Sequence, residues 1–383
     1  MSRNIVVFAP AKINLGLRIT GRYASGYHRL EGAFLSVSLF DRVEIRKAAQ
    51  MSVRYVWPTT LPVGARRSAL LGIQKAPLLW KSIAMVRDYI VNNAEGITIS
   101  NNLINEGIVI PPIEIIVNKG VPSPSGLGGA SSDAAVLIAT LWKIATGNAP
   151  LPSALIDASE NLGADIPFFL RYGLYGKAAY LDGVGHELTE VIVCGHFDKL
   201  SDREKMLSVR ESVYTQNSVV EPVEMPESMS RRLSGFLCVP SFGFPTAQMF
   251  ATVRTWPLPL VQPSPHAVDS YPSNSKRALR LNEIPYSDEP LTGIRLLQND
   301  FEKAAAVVFP QAHAALQRAQ RFMAYTVRQR CGGLWWGGMS GSGAGLYMVT
   351  DNDLSPSGMS WIRNVLQVRL GRTWRVFSIY AGL

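Results

Sequence analysis

The chain has 383 residues, 47% of them hydrophobic and 17% charged, and its 38 Lys and Arg outnumber 29 Asp and Glu for a formal charge of +9. That length suits two domains, and that composition excludes a disordered or fibrous protein. Three cysteines without paired spacing signal neither a disulfide framework nor a zinc site, and no apolar run reaches the ~18 residues of a membrane span.

In chain order, β-rich runs at 5–8, 33–39, 42–46 and 113–117 alternate with turn-rich segments, and residues 76–92 carry the spacing of an amphipathic helix. After the glycines at 126, 128 and 129, residues Ala134, Ala135, Leu137, Ile138, Leu141 and Trp142 recur at helical spacing until Gly147 and Pro150 stop the pattern. A polar stretch near 196–235 and a strand at 235–240 place a domain boundary near 190, giving an N-terminal domain over 1–190 and a C-terminal one over 191–383. Seven prolines between 256 and 290 mark a second insertion or linker. The remainder reads as a helix over 296–327, a strand at 346–349, a helix over 356–368 and a last strand at 374–378. The whole is an α+β pattern. The N-terminus lacks a secretory leader and the cysteine usage suits a reducing compartment, so a cytoplasmic protein without membrane partners is expected.

The segment Pro122-Ser123-Pro124-Ser125-Gly126-Leu127-Gly128-Gly129-Ala130-Ser131-Ser132-Asp133 lies between a strand and that amphipathic helix. Small residues let the backbone approach a polyphosphate, unpaired N–H groups at the helix start donate to its oxygens, and the helix dipole favours negative charge there. Ser131 and Ser132 offer hydroxyls to phosphate or to the shell of Mg2+. A tight strand-to-helix turn would use the same residues for packing alone. The Walker order GxxxxGK[ST] is absent, and no ribose-binding acid of a dinucleotide fold follows.

Two further segments accompany it, Ala9-Pro10-Ala11-Lys12-Ile13-Asn14-Leu15-Gly16 near the start and Met339-Ser340-Gly341-Ser342-Gly343-Ala344-Gly345 near the end. In this order the three resemble the motifs of the GHMP kinases, spread over almost the whole chain. Gly26-Tyr27-His28, Leu162-Gly163-Ala164-Asp165-Ile166-Pro167, Phe244-Pro245-Thr246 with Phe250, and Gln298-Asn299-Asp300-Phe301-Glu302 are similar to one branch of that family, whose members phosphorylate a cytidylated methylerythritol in the non-mevalonate route to isoprenoids.

The resemblance implies a two-domain α+β fold with the active site in the cleft between domains, and ATP with Mg2+ as the phosphoryl source. It implies Asp165 as the base for the alcohol and Lys12 as its partner. Physical chemistry agrees, because a carboxylate in so small and apolar a segment needs a neighbouring cation to stay ionised. Taken alone, Asp165 reads as a helix cap before Pro167 and Lys12 as a solvated lysine. Residues 122–132 would hold ATP, with Lys119 reaching toward its phosphates or simply ending a strand. Tyr27, His28 and Phe250 would read the cytidine, with Asn14 and Thr246 nearby, since aromatic rings stack on a pyrimidine and an imidazole reads its edge. Gly341, Ser342 and Gly343 would form a phosphate-side loop, with an ordinary hairpin as the competing reading. Asn102-Leu103 and Ser68 are rival positions for an adenine contact, and Asp133 stands where the branch commonly has Asn, where it suits the helix dipole but would repel phosphate if turned inward. Other readings are a sister kinase of the mevalonate or homoserine type, or a non-catalytic nucleotide- or nucleic-acid-binding relative. Against nucleic acid, the sequence shows no run of five Lys or Arg and no basic strip interleaved with aromatics.

Overall fold

The computed structural model describes residues 4–58, 77–93, 110–172, 177–185, 187–194, 233–262, 277–280, 284, 286–289, 294–352 and 354–381. Where the sequence suggests short runs at 5–8, 33–39 and 42–46, it shows two long antiparallel strands, β1 (Ile5–Tyr23) and β2 (His28–Lys47). Register shifts at Pro10/Ala11, Asn14/Leu17 and Ile19/Gly21 let so long a ribbon change the face it presents without ending. Next come β3 (Ser52–Val56), α1 (Pro77–Asn92), β4 (Ile113–Asn118), α2 (Gly129–Thr146), α3 (Ser153–Ala158), α4 (Ile166–Arg171), β5 (Ala178–Asp182) and β6 (Glu187–Cys194). The chain continues through β7 (Leu233–Pro240), α5 (Thr246–Val253), β8 (Leu260–Val261), β9 (Arg277–Arg280), β10 (Tyr286–Glu289), β11 (Ile294–Leu297), α6 (Asp300–Val308) and α7 (Pro310–Arg330). It closes with β12 (Trp335–Met339), β13 (Leu346–Thr350), α8 (Pro356–Leu370) and β14 (Trp374–Ala381).

The described strands form two sheets. One runs β3-β4-β2-β5-β6-β9, with β1 on β2 and β8 on β1; the other runs β10-β11-β12-β13-β7-β14. Period-two alternation sends each strand of the second sheet in two directions. On β13, Leu346 and Met348 join a core with α5 to α8, while Tyr347 and Val349 join a core shared with the first sheet. On β1, Ala11, Ile13 and Leu15 enter that shared core. The opposite side of the first sheet packs on α1, α2 and α4 through Phe34, Val43, Ile115, Leu137, Ile138 and Phe168. The layers therefore run helices, sheet, sheet, helices, with the two sheets joined by one buried apolar interface.

Helix α1 falls where the sequence places it, with Leu79, Ile83, Val86 and Ile90 buried on one stripe. The single helix expected over 296–327 is two, because Pro310 cannot continue α6 and instead starts α7. In the stretch near 256–290, expected to be irregular, the described residues include short strands, β8 pairing with β1, β9 with β6 and β10 with β11; more than half of the stretch lies outside the described residues. Most of the stretch near 196–235 lies outside the described residues. Among the described residues, no helix is long and apolar enough to cross a membrane.

Candidate active site

Lys12 sits in the middle of β1 and is 3% exposed. Its ammonium lies 3.5 Å from the Asp165 carboxylate, donates to Asn14 Oδ1 at 2.6 Å, and stands 4.5 Å from the centre of the Phe34 ring. Burial holds the Lys12 pKa below the usual lysine value although Asp165 pulls it up. Asp165 precedes α4 and makes no capping hydrogen bond, so the carboxylate is free of the role that its position before Pro167 suggests. It is 29% exposed, open on one side and held by a buried cation on the other. The sequence-expected pair is thus brought together across 153 residues of chain.

The glycine loop closes over this pair. Lys12 N–H donates to Leu127 O at 3.0 Å, and a Cβ on Gly128 would lie 3.1 Å from Lys12 Cγ. Gly128 has φ +70° and caps α2; the first helical bond is Ser132 N–H to Gly128 O at 2.9 Å, leaving the N–H groups ahead of it unpaired by the helix. Ser123, Pro124 and Ala130 are exposed, while Pro122, Gly126, Gly129 and Ser131 are half-buried. Ser131 Oγ lies 3.6 Å from where a Cβ on Gly163 would be, on the side of Asp165. Ser132 differs from expectation: its hydroxyl is shut away from solvent, with no partner among the described residues. Ser125 and Leu127 also turn inward, Ser125 Oγ donating to Pro122 O at 2.6 Å.

Lys119 requires a correction. Its buried ammonium does not extend toward the loop opening but donates to Asp41 and, at 2.7 Å, to Asp133. Asp41, on β2, also accepts the N–H groups of Gly120 and Val121 at 2.6 and 2.8 Å. Burial, opposed by Lys119 and reinforced by Asp41, pushes the Asp133 carboxyl well above the usual range. Asp133 therefore faces a lysine in the interior and not a phosphate, which removes the repulsion anticipated for an acid at this helix start. Asp41 was invisible in the sequence, where nothing distinguishes Phe40-Asp41-Arg42 from any strand end.

The loop between β12 and β13 is a hairpin connection, and it also packs on the glycine loop: a Cβ on Gly341 would lie 3.0 Å from Gly126 O, and Gly345 N–H donates to Ser125 O at 3.1 Å. The hairpin reading of Gly341 and Gly343 holds, and the hairpin lies against the glycine loop. Asn299 secures this loop by donating from Nδ2 to Met339 O at 2.8 Å and Gly341 O at 2.9 Å. The sequence marks Asn299 only as part of a quoted motif, without a role.

On the other side, His28 is buried and stacks on Phe250 of α5, ring centres 5.6 Å apart at 26°. Burial, then Arg254 and Arg22, lower the His28 pKa, so the ring is neutral at pH 7, and its Nε2 has no partner among the described residues. Tyr27 beside it is 67% exposed. Thr246 Oγ1 and Ser342 Oγ lie 2.8 Å apart, linking α5 to the hairpin loop. Asn14, expected beside substrate, is buried and accepts from the Lys12 ammonium. Ser68 and Asn102-Leu103 lie outside the described residues. Among the described residues no group of three His, Cys, Asp or Glu is placed to hold a metal ion.

No family model matches the chain. The 4-diphosphocytidyl-2-C-methyl-D-erythritol kinase of Neisseria meningitidis serogroup C is 34% identical over 184 residues, covering 47% of this chain and 53% of that protein. The protein of the same name from Deinococcus radiodurans is 34% identical over 184 residues, covering 48% and 51%. The chain spans about half the length of these curated relatives. A crystal structure of 4-(cytidine 5'-diphospho)-2C-methyl-D-erythritol kinase superposes over 99% of this chain and 100% of its own, with a TM-score of 0.55 and 19% identity. The chain has the fold of that kinase. The resemblance carried by the motifs thus extends to the same kinase by sequence and by architecture.

Proposed function

We propose that the chain is an ATP-dependent kinase, acting in the cytoplasm, that phosphorylates the 2-hydroxyl of 4-diphosphocytidyl-2-C-methyl-D-erythritol. The observation that carries this reading is the Lys12 and Asp165 pair under the glycine loop. Asp165 accepts the proton of the alcohol as its oxygen attacks the terminal phosphorus of ATP. Lys12 steadies the carboxylate and offsets charge developing on the alcohol oxygen, a contribution from a fixed and largely dehydrated cation. The N–H groups at the start of α2 that the helix leaves unpaired suit the oxygens of a phosphate. The residues present suit Mg2+ that arrives bound to ATP, which needs few protein ligands, and the Ser131 hydroxyl is the candidate donor. When bound, Mg2+ would neutralise phosphate charge. His28, whose ring nitrogen Nε2 has no partner among the described residues, is suited to the edge of a cytosine, with Tyr27 and the Phe250 ring it stacks on beside it.

The test is to incubate purified protein with ATP and Mg2+ and each candidate alcohol in turn, and to follow ADP release. Turnover of the cytidylated methylerythritol above mevalonate and homoserine is expected. Turnover of either of those, with none of the cytidylated alcohol, would overturn the reading.

A further inference from the structure

The candidate site is assembled from three separate segments, and one buried hydroxyl touches two of them from the third. Ser340 is 0% exposed. Its Oγ accepts the backbone N–H of Asn14 at 3.2 Å and donates to Gly126 O at 3.0 Å. Asn14 N–H points away from β2 to reach it, just before the register of β1 shifts. Asn14 in turn presents Oδ1 to the Lys12 ammonium at 2.6 Å. Ser340 is itself fixed, its N–H donating to Gly345 O at 2.8 Å, its carbonyl accepting Gly343 N–H at 3.1 Å, and its neighbours Met339 and Gly341 held by Asn299. A continuous path thus runs from the hairpin of the second sheet to the cation beside Asp165.

We propose that Ser340 is a positioning residue for phosphoryl transfer: its hydroxyl locks Asn14 against the glycine loop, and Asn14 thereby holds the Lys12 ammonium at Asp165. The inference rests on the kinase reading above. Without the hydroxyl, the buried Asn14 N–H loses its acceptor and the half-buried Gly126 O loses its donor, and the structure must move to satisfy the buried group. Gly126 O lies in the packed contact between the two glycine-rich loops, and the Asn14 side chain, whose Oδ1 is 3.5 Å from Ser340 Oγ and accepts from Lys12, shifts with the loss of the hydroxyl. The groups facing Lys12 are Asp165 ahead of α4, the Phe34 ring from β2, Gly128 from the glycine loop and Asn14 on its own strand; Asp165 is the charged one. An acceptor favours the charged ammonium, so a displaced Asn14 lowers the proton affinity of Lys12 further.

The experiment is a 13C NMR titration of Lys12 in the full chain labelled at lysine, with its signal assigned from Lys12→Arg, for wild type, Ser340→Ala and Asn14→Ala. The Lys12 midpoint is expected to be lower in Ser340→Ala by roughly 0.5–1 pH unit. In parallel, kcat should fall about tenfold in Ser340→Ala, and the double variant with Asn14→Ala should be no worse than the poorer single one. A Lys12 midpoint unmoved in Ser340→Ala, with or without a lower Tm, reduces Ser340 to a packing residue and overturns the proposal, as does an additive double variant. Wild type that turns over no alcohol overturns the kinase reading instead, and the titration still tests the coupling of Ser340 to Lys12 by itself.

Discussion

Lys12 and Asp165 were legible as a pair only because the motifs around them were; neither residue type, taken singly, marks a site. The structure adds how the pair is held: β1 buries the cation, and Asp165, ahead of α4, makes no capping bond and stays partly open. Lys119 follows the end of β4, as one of its two readings had it, but its ammonium turns to buried acids and not toward the loop opening. A lysine at a strand end carries no trace, in sequence, of acids 78 residues before it and 14 after it that enclose its ammonium. Glu302 is a further case. Burial pushes its carboxyl up to about 7, partly offset by the N–H of Met339. Between the ordinary glutamate value and pH 7 the folded chain binds more protons than the unfolded one, so stability falls as pH rises through that window. Glu302→Gln should therefore gain about 2 kcal/mol relative to wild type between pH 5 and pH 8, measured by urea unfolding at both. An equal difference at the two pH values would show that Glu302 is not buried as a charge.

At the scale of elements, the helices were the more readable part. Helix α2 has a glycine at each end and an unbroken apolar stripe, and it appears as read, ending where Gly147 takes φ +68°. The long strands were not readable as such, because over 9–17 β1 is buried on both faces, yet Lys12 and Asn14 alternate there with Ala11, Ile13 and Leu15 as on a half-exposed strand. The glycine loop and the hairpin loop 340–345 were seen as two motifs, but their contact was not. Gly126, at φ +75°, would bring a Cβ within 2.1 Å of Ser340 O. Gly126→Ala should therefore cost about 2–3 kcal/mol of stability by differential scanning calorimetry and weaken ATP binding by calorimetric titration. Unchanged values of both would mean the two loops do not depend on this contact.

Over the whole molecule, the sequence pointed to an α+β chain of two parts, and the described residues form two sheets packed face to face over a shared core. Trp336, fully buried in that core, faces the first sheet from the second. Trp336→Ala should remove about 3–5 kcal/mol and lower the urea midpoint in a single transition, because both sheets lose the same neighbour. Two separated transitions in the variant would show that the sheets unfold independently. The formal charge of +9 explains little of this, since Lys12 pairs with Asp165 and Lys119 is neutralised by buried acids. The most direct test of the account is phosphorus NMR of the reaction of ATP with 4-diphosphocytidyl-2-C-methyl-D-erythritol, run with wild type and with Asp165→Asn. The account predicts a new phosphate monoester formed one-for-one with ADP by wild type, and a rate lower by about 10²–10⁴ in Asp165→Asn at an unchanged Tm. Orthophosphate without the ester, or an ester formed equally fast by the variant, would contradict it.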